Sequence, residues 1–276
     1  MEYTVIPGTD MKVSRIALGT WAIGGWMWGG TDEAASIRTI HAALFEGINL
    51  VDTAPVYGFG RSEEIVGKAI EEHGGRDKIF ISTKAGLEWR DGKVFRNTTR
   101  ERILKEVDDS LERLRTDYID IYYIHWPDPL VPFEETGQVM ESLLNEGKIR
   151  AIGVSNFSPD QMKAFQKGGP VHVCQPPYNL FEREIEGDVK GYCHDNTIAL
   201  MTYGALCRGL LSGKMSRERE FKGDDLRQHD PKFQGERYGQ YLNAVARLDR
   251  LAKDRYGKDV LSLAVRWILD QRVDIA

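Results

Sequence analysis

The feature that most constrains this chain is an alternation. Short runs rich in Val, Ile and Tyr are each followed by a longer stretch with apolar residues at helical spacing, and the pair recurs along the whole chain. The strand candidates are 15–19, 48–53, 78–84, 118–125, 149–156, 171–179 and 198–204, and "VDIA" (273–276) reads as the opening of an eighth. Helical stretches lie between them at 31–47, 61–75, 98–115, 132–148, 158–168 and 183–196. In 98–115, Ile103, Val107, Leu111 and Leu114 make one apolar stripe. Thr31 or Asp32, Ser62 and Ser158 sit where N-caps belong, Pro159 occupies a first helical turn, and Gly47 ends the first helix.

Strand, helix and strand in succession make a right-handed crossover, and a sheet built of such units is parallel and covered by helices. Seven or eight units in 276 residues, with no linker or composition shift, predict a single (β/α)8 barrel domain over 1–276. A doubly wound fold would carry a GxGxxG turn after its first strand. The nearest match, "GFGRSE" (58–63), follows the second strand and lacks the third glycine. Ahead of the first unit, "YTVIPGTDMKV" predicts a β-hairpin around Pro7-Gly8, placed to plug the N-terminal mouth of the barrel. A polar connection, 204–236, precedes two further helices, 236–257 and 259–272.

Composition removes several functions. The net charge of −5 offers no basic excess for a phosphate backbone, so nucleic acid is not expected as a partner. Three cysteines, Cys174, Cys193 and Cys207, are too few and odd in number for a disulfide framework and fit a reducing cytoplasm. His172-x-Cys174 and Cys193-His194 lack zinc-ligand spacing, so no metal is expected. The N-terminus has neither the basic nor the apolar part of a signal peptide, and no apolar run is long enough to span a membrane. A small molecule is the expected partner; oligomeric state is not legible.

In a parallel barrel, chemistry gathers where the strands end at their C-termini. The second strand ends in Asp52, with Tyr57 just beyond; the third ends in Lys84; the fourth in His125, followed by Trp126. The fifth ends in Ser155-Asn156, the sixth carries Gln175, and the seventh ends in Tyr203. Each residue alone has an ordinary explanation: a loop carboxylate, a solvated lysine, a core histidine, a packing tyrosine. Together they suit one proton transfer. Tyr57 is protonated at neutral pH and can act as an acid, Lys84 is expected to lower its pKa, and Asp52 is expected to pair with Lys84. His125 is expected to hydrogen-bond a substrate carbonyl. Trp21 and Trp126 are expected to wall an apolar pocket, with Trp26, Trp28 and Trp89 as weaker candidates.

Six stretches, in order and over nearly the whole chain, resemble the aldo-keto reductase family: "ALGTW", "NLVDTAPVYGFGRSEEIVGKA", "FISTK", "DYIDIYYIHWPD", "GKIRAIGVSNFS" and "QPPYNLFER". The resemblance implies a metal-free carbonyl reductase of the bacterial type that uses NADPH, with NAD not excluded. It places the family's catalytic tetrad on Asp52, Tyr57, Lys84 and His125. It implies cofactor contacts from Gly19, Thr20 and Trp21, from Asp52, from Ser155, Asn156 and Gln175 to the nicotinamide amide, and from Tyr203 stacked on its ring. The segment Gly204, Ala205, Leu206, Cys207, Arg208, Gly209, Leu210, Gly213 and Lys214 would cross the pyrophosphate. Trp21, Tyr57, His125 and Trp126 would meet the substrate.

In the family, the eighth strand and the helix after it supply contacts to the adenosine 2′-phosphate. Here the eighth strand and final helix are expected to be missing, leaving the barrel open and the choice between NADP and NAD undecided. A nicotinamide-binding regulatory subunit on the same fold is the alternative function. An isomerase or hydrolase barrel lacks its usual metal ligands or paired strand-end carboxylates.

Overall fold

The structure, a computed structural model, describes residues 1–276. Pro7 and Gly8 turn the chain so that β1 (Tyr3–Val5) pairs antiparallel with β2 (Lys12–Ser14), as the sequence predicts. The hairpin has an apolar side: Ile6, Met11 and Val13 are completely buried. They pack with Leu50, Ile121, Tyr123, Ala151, Val173 and Ala199, which point into the barrel. The plug is therefore held by apolar burial at the bottom of the ring.

The chain then runs through β3 (Leu18–Gly19), α1 (Trp21–Gly24), α2 (Glu33–Phe45), β4 (Leu50–Asp52), α3 (Arg61–His73) and β5 (Phe80–Ala85). After β6 (Leu87–Arg90), β7 (Lys93–Arg96) and α4 (Arg100–Leu114) come β8 (Ile121–Ile124), α5 (Phe133–Asn145), β9 (Ile152–Ser155), α6 (Pro159–Phe165) and β10 (Val173–Gln175). Last come α7 (Val189–Asp195), β11 (Ala199–Leu200), α8 (Gly235–Tyr256) and α9 (Val260–Asp270). Seven strands form one curled parallel sheet in the order β3, β4, β5, β8, β9, β10, β11. Side chains alternate across it: Ile121 and Tyr123 face the plug, whereas Tyr122 and Ile124 face the helices.

The expected opening between the seventh and first strands is bridged. Thr202 N–H donates to Ile275 O at 2.8 Å and Asp274 N–H to Leu200 O at 3.0 Å on one side. On the other, Ala17 N–H donates to Ala276 O and Ala276 N–H to Arg15 O, both at 2.9 Å. Residues 274–276 thus bond both neighbours, and Ile275 is fully buried.

Asp32, Ser158 and Asp259 cap α2, α6 and α9, accepting from Ala35, Gln161 and Ser262 N–H respectively. Ser62 does not cap α3; left-handed Gly60 does. The Ser62 hydroxyl turns inward instead, donating to Thr20 O at 3.1 Å beside the Thr20 and Thr53 hydroxyls. A buried cluster of polar groups needs a donor there more than the helix end does. The expected helix at 183–196 is divided into a 3-10 turn, Glu184–Glu186, and α7. The β6–β7 hairpin is an addition the strand-and-helix pattern did not include. Its turn is Asp91-Gly92, both at positive φ, a sequence signal that lay in plain view.

Candidate active site

The mouth of the barrel begins with a buried ion pair. Lys84 is 1% exposed, and its ammonium donates to Asp52 Oδ2 and to Thr53 O, both at 2.8 Å. The second carboxylate oxygen, Oδ1, accepts from the Ser82 hydroxyl at 2.6 Å and from Gln175 Nε2 at 3.1 Å. Both charges are therefore paired and hydrogen-bonded, the condition under which a buried pair is tolerated.

Tyr57 stands over this pair on the turn that follows β4. Lys84 Nζ lies 5.1 Å from the centre of its ring. The turn is fixed by close backbone packing against α1. A Cβ on Gly58 would stand 2.1 Å from Gly24 O, and one on Gly24 would stand 2.4 Å from the Tyr57 carbonyl. Gly58 also has φ +69°. Only glycine meets both requirements at that position. His125, one residue past β8, places its ring 5.8 Å from that of Tyr57, edge to face. Trp21 lies 6.0 Å from the Tyr57 ring and nearly parallel to it. Asp52, Tyr57, Lys84 and His125 thus converge from β4, β5 and β8.

Their charge states follow from burial. His125 is held well below the ordinary imidazole pKa by desolvation and then by the Lys84 charge, so it is neutral. The Tyr57 phenol is pushed well above 10, first by burial and then by the Asp52 charge. This corrects the expectation that Lys84 lowers it. The ammonium donates to Asp52 and Thr53 O, and burial of the phenol outweighs what remains of its field.

A second set of polar groups lies beside these four residues. Asn156, at φ +63°, donates from Nδ2 to His125 O and to Ser155 Oγ, both at 3.0 Å. Its Oδ1 accepts from the Tyr203 hydroxyl at 3.0 Å. The Ser155 hydroxyl donates to Gln175 O at 2.8 Å. The amide and hydroxyl groups expected to meet a nicotinamide are thus partnered with one another and, through Gln175, with Asp52.

Two cavities meet at Tyr57 and Tyr203. The larger, about 570 Å³, is lined by Gly19, Thr20, Trp21, Asp52, Tyr57, Tyr203, Gly204, Leu206, Cys207, Arg208 and Gly209 from the predicted set. Trp28, Pro177, Glu182, Glu184 and Arg227 join them. The smaller, about 240 Å³, has His125, Trp126, Ser155, Asn156 and Gln175 in its wall, with Trp21, Trp26, Val56, Leu87 and Val94. Ala205, Leu210, Gly213 and Lys214 line neither. Leu210 is fully buried in a cluster with Val260, and Gly213 lies against Val260, so this half of the loop anchors it to α9. Trp89 lines neither cavity; it packs on Phe59 at 5.4 Å, and Phe59 packs on Trp26 at 4.8 Å. Sequence reasoning missed Leu87 and Val94, which ride on the unforeseen hairpin. It also missed Arg227, deep in a polar connection without periodicity.

Residues 15–276 match the family described as Aldo/keto reductase family. The chain is 63% identical over 271 residues to aldo-keto reductase YhdN of Bacillus subtilis (strain 168), spanning 98% of this chain and 82% of that protein. It is 37% identical over 278 residues to an NADH-specific methylglyoxal reductase of Escherichia coli (strain K12), spanning 95% and 84%. Among solved structures, a glycerol dehydrogenase from Gluconobacter oxydans superposes with TM-score 0.90 at 53% identity, covering 99% of this chain and 84% of the other.

Proposed function

The chain belongs to the aldo-keto reductase family, whose NAD(P)H-dependent members reduce carbonyls, and we propose that Tyr57 is its proton donor in that reaction. When bound, the dinucleotide supplies a hydride to the carbonyl carbon. The remaining tasks fall to the chain. Tyr57 gives its proton to the carbonyl oxygen. Neutral His125 orients that oxygen from the other side. Lys84, held by Asp52, places a fixed positive charge beneath the phenol, where negative charge develops as the proton leaves. In alcohol oxidation the same groups run in reverse.

Two features of the chain fit a dinucleotide. Tyr203 is an aromatic ring left 36% exposed at a strand end, between the two cavities, as a stacking partner would be. Gly204, Leu206, Cys207, Arg208 and Gly209 line the larger cavity as one turn and bring the Arg208 cation to its wall, as an anionic diphosphate would require. On this reading the larger cavity takes the cofactor, with Gly19, Thr20, Trp21 and the 204–209 turn around it, and Ser155, Asn156 and Gln175 hold the amide of its reacting ring. NADPH is taken first; the name of the Escherichia coli relative makes NADH the competitor. The smaller cavity, walled by Trp21, Trp26, Leu87, Val94 and Trp126, takes the carbonyl. Its volume and the relatives' names favour small aldehydes and hydroxyketones of about three carbons. The protein works in the cytoplasm as one barrel domain.

The observation that carries the reading is the Lys84–Asp52 pair set beneath the Tyr57 ring. Tyr57→Phe tests it. Turnover of methylglyoxal should fall by about a thousandfold or more, while quenching of tryptophan fluorescence by NADPH stays unchanged. Retained turnover excludes Tyr57 as the acid. The regulatory-subunit alternative gains no support from the relatives, which are named as enzymes.

A further inference from the structure

The carboxyl of Glu106 is buried on the outer side of the barrel and has no part in the chemistry above. It lies on α4 and is 2% exposed. Its Oε2 accepts the main-chain N–H of Gly86 at 2.9 Å, and its Oε1 accepts from Arg102 Nη2 at 2.9 Å. Gly86, at φ +89°, is where the chain leaves β5, two residues after Lys84, to enter the β6–β7 hairpin. The returning root is held in the same way. Gly86 O accepts from Asn97 N–H at 3.1 Å, and Thr98 N–H donates to the buried Asp128 Oδ2 at 3.1 Å. A buried carboxylate therefore grips each root.

The hairpin carries part of the smaller cavity. Leu87 and Val94 line it directly. Trp89 supports it at one remove, through Phe59 to Trp26. Arg102, paired with Glu106, stands 5.7 Å from the centre of the Trp89 ring. One carboxylate thus touches both the main chain of the hairpin and the cation that packs on its tryptophan.

We propose that Glu106 is a positioning residue for the substrate cavity, acting through Gly86 and Arg102 on the wall formed by Leu87, Val94 and Trp26. The proposal rests on the assignment of that cavity to the carbonyl substrate. The ionised carboxylate makes charge-assisted bonds to both partners; protonation weakens them and loosens the wall. The charged and titratable groups around it are Arg102 on α4, Glu63 on α3 with its partner Arg113 on α4, and the Tyr122 phenol on β8, whose hydroxyl has no partner. Burial outweighs Arg102 and the Gly86 N–H and lifts Glu106 to about 7. Tyr57 and His125 are displaced to opposite sides of this range, so a transition near neutrality does not belong to them.

The test is KM and kcat for methylglyoxal with saturating NADPH, measured from about pH 6 to about pH 8, together with NADPH binding by fluorescence. Wild-type KM should rise roughly threefold or more as pH falls across this range, with kcat steady. Glu106→Gln, the neutral isostere, should show the high KM throughout, with kcat and NADPH affinity changed less than about twofold. Should that variant not fold, Arg102→Met keeps the carboxylate but removes its counter-charge, and the KM transition should move to higher pH. A wild-type KM profile in Glu106→Gln, a loss of kcat in step with KM, or an unmoved transition in Arg102→Met overturns the proposal. Leu87→Ala separates the two assignments. A raised KM there with an intact profile in Glu106→Gln removes the Glu106 role alone; an unchanged KM in Leu87→Ala removes the cavity assignment and this proposal with it.

Discussion

The side-chain amide of Gln175 donates to Asp52 Oδ1 at 3.1 Å, joining β10 to β4 across the barrel mouth although three strands lie between them in the sheet. Asp52 thereby accepts from Ser82, Lys84 and Gln175 at once, and its orientation is fixed from two sides of the ring. Gln175→Leu removes the donor from across the mouth and leaves one lone pair of a buried carboxylate unpartnered. Stability should fall by about 1–2 kcal/mol, and kcat by about tenfold as the carboxylate and Lys84 lose their fixed geometry. Denaturant melts and steady-state kinetics check both; an unchanged kcat would show that the cross-barrel bond does not position the tetrad.

Lys84→Met leaves the Asp52 carboxylate buried without its counter-charge. The expected loss is about 3–5 kcal/mol, because an unpaired buried charge costs more than the pair contributes. Adding Asp52→Asn should return most of that stability and none of the activity. A double-mutant cycle on unfolding free energies and kcat separates the two effects. Recovery of activity along with stability would mean that the ammonium has no role beyond neutralising Asp52.

The charge states predict a direction for the pH dependence of kcat. Tyr57 keeps its proton to above the ordinary tyrosine range, and His125 stays neutral to below the ordinary histidine range. With saturating substrate, kcat for carbonyl reduction should therefore be level between about pH 6.5 and about pH 9 and fall only at higher pH. Alcohol oxidation needs the deprotonated phenol and should rise with pH over the same span. An acidic inflection in the reduction kcat would indicate that His125 acts as the charged donor instead.

The barrel was legible because its signals are local and repeated. Apolar strands such as "IYYI" and capped helices such as that after Ser158 each announce themselves within a few residues. The convergence of Asp52, Tyr57, Lys84 and His125 was legible because polar groups at or just beyond strand ends break that pattern. Ser62 misled because a serine at a helix start usually caps it, and the demand for a donor to Thr20 O comes from a strand far away in sequence. Arg227 and the pKa of Tyr57 were hidden for the same reason: one depends on how a long polar connection folds back, the other on how deeply the phenol is buried. The hairpin at 87–96 was within reach, since Asp91-Gly92 lies between short alternating runs.

Gly58→Ala probes the placement of Tyr57 without touching any polar group. The new methyl would meet Gly24 O at a distance no pair of atoms adopts, and the residue would keep a left-handed φ. The loop must shift, taking Tyr57 with it. Activity should fall by about a hundredfold or more, because displacement of a donor by about 1 Å is that costly, with a stability loss of about 1–3 kcal/mol. Near-normal activity would show that the phenol finds its place without the Gly24–Gly58 contact.

Glu106 also sets a stability that depends on pH. Burial raises its folded-state pKa from 4.5 to about 7, so between these values the folded protein holds a proton that the unfolded chain has released. Stability must then decrease as pH rises through this window and level off above it, by up to about 3 kcal/mol from this group. Asp120, raised by burial too, adds a slope of the same sign. The difference between wild type and Glu106→Gln isolates the single carboxyl, since Asp120 is common to both. Urea titrations from about pH 4 to about pH 8 should show wild type losing ground to the variant with rising pH, most steeply near the middle of the range. A difference that stays constant with pH would mean that Glu106 titrates alike in the folded and unfolded chain, with Arg102 and the Gly86 N–H offsetting its burial.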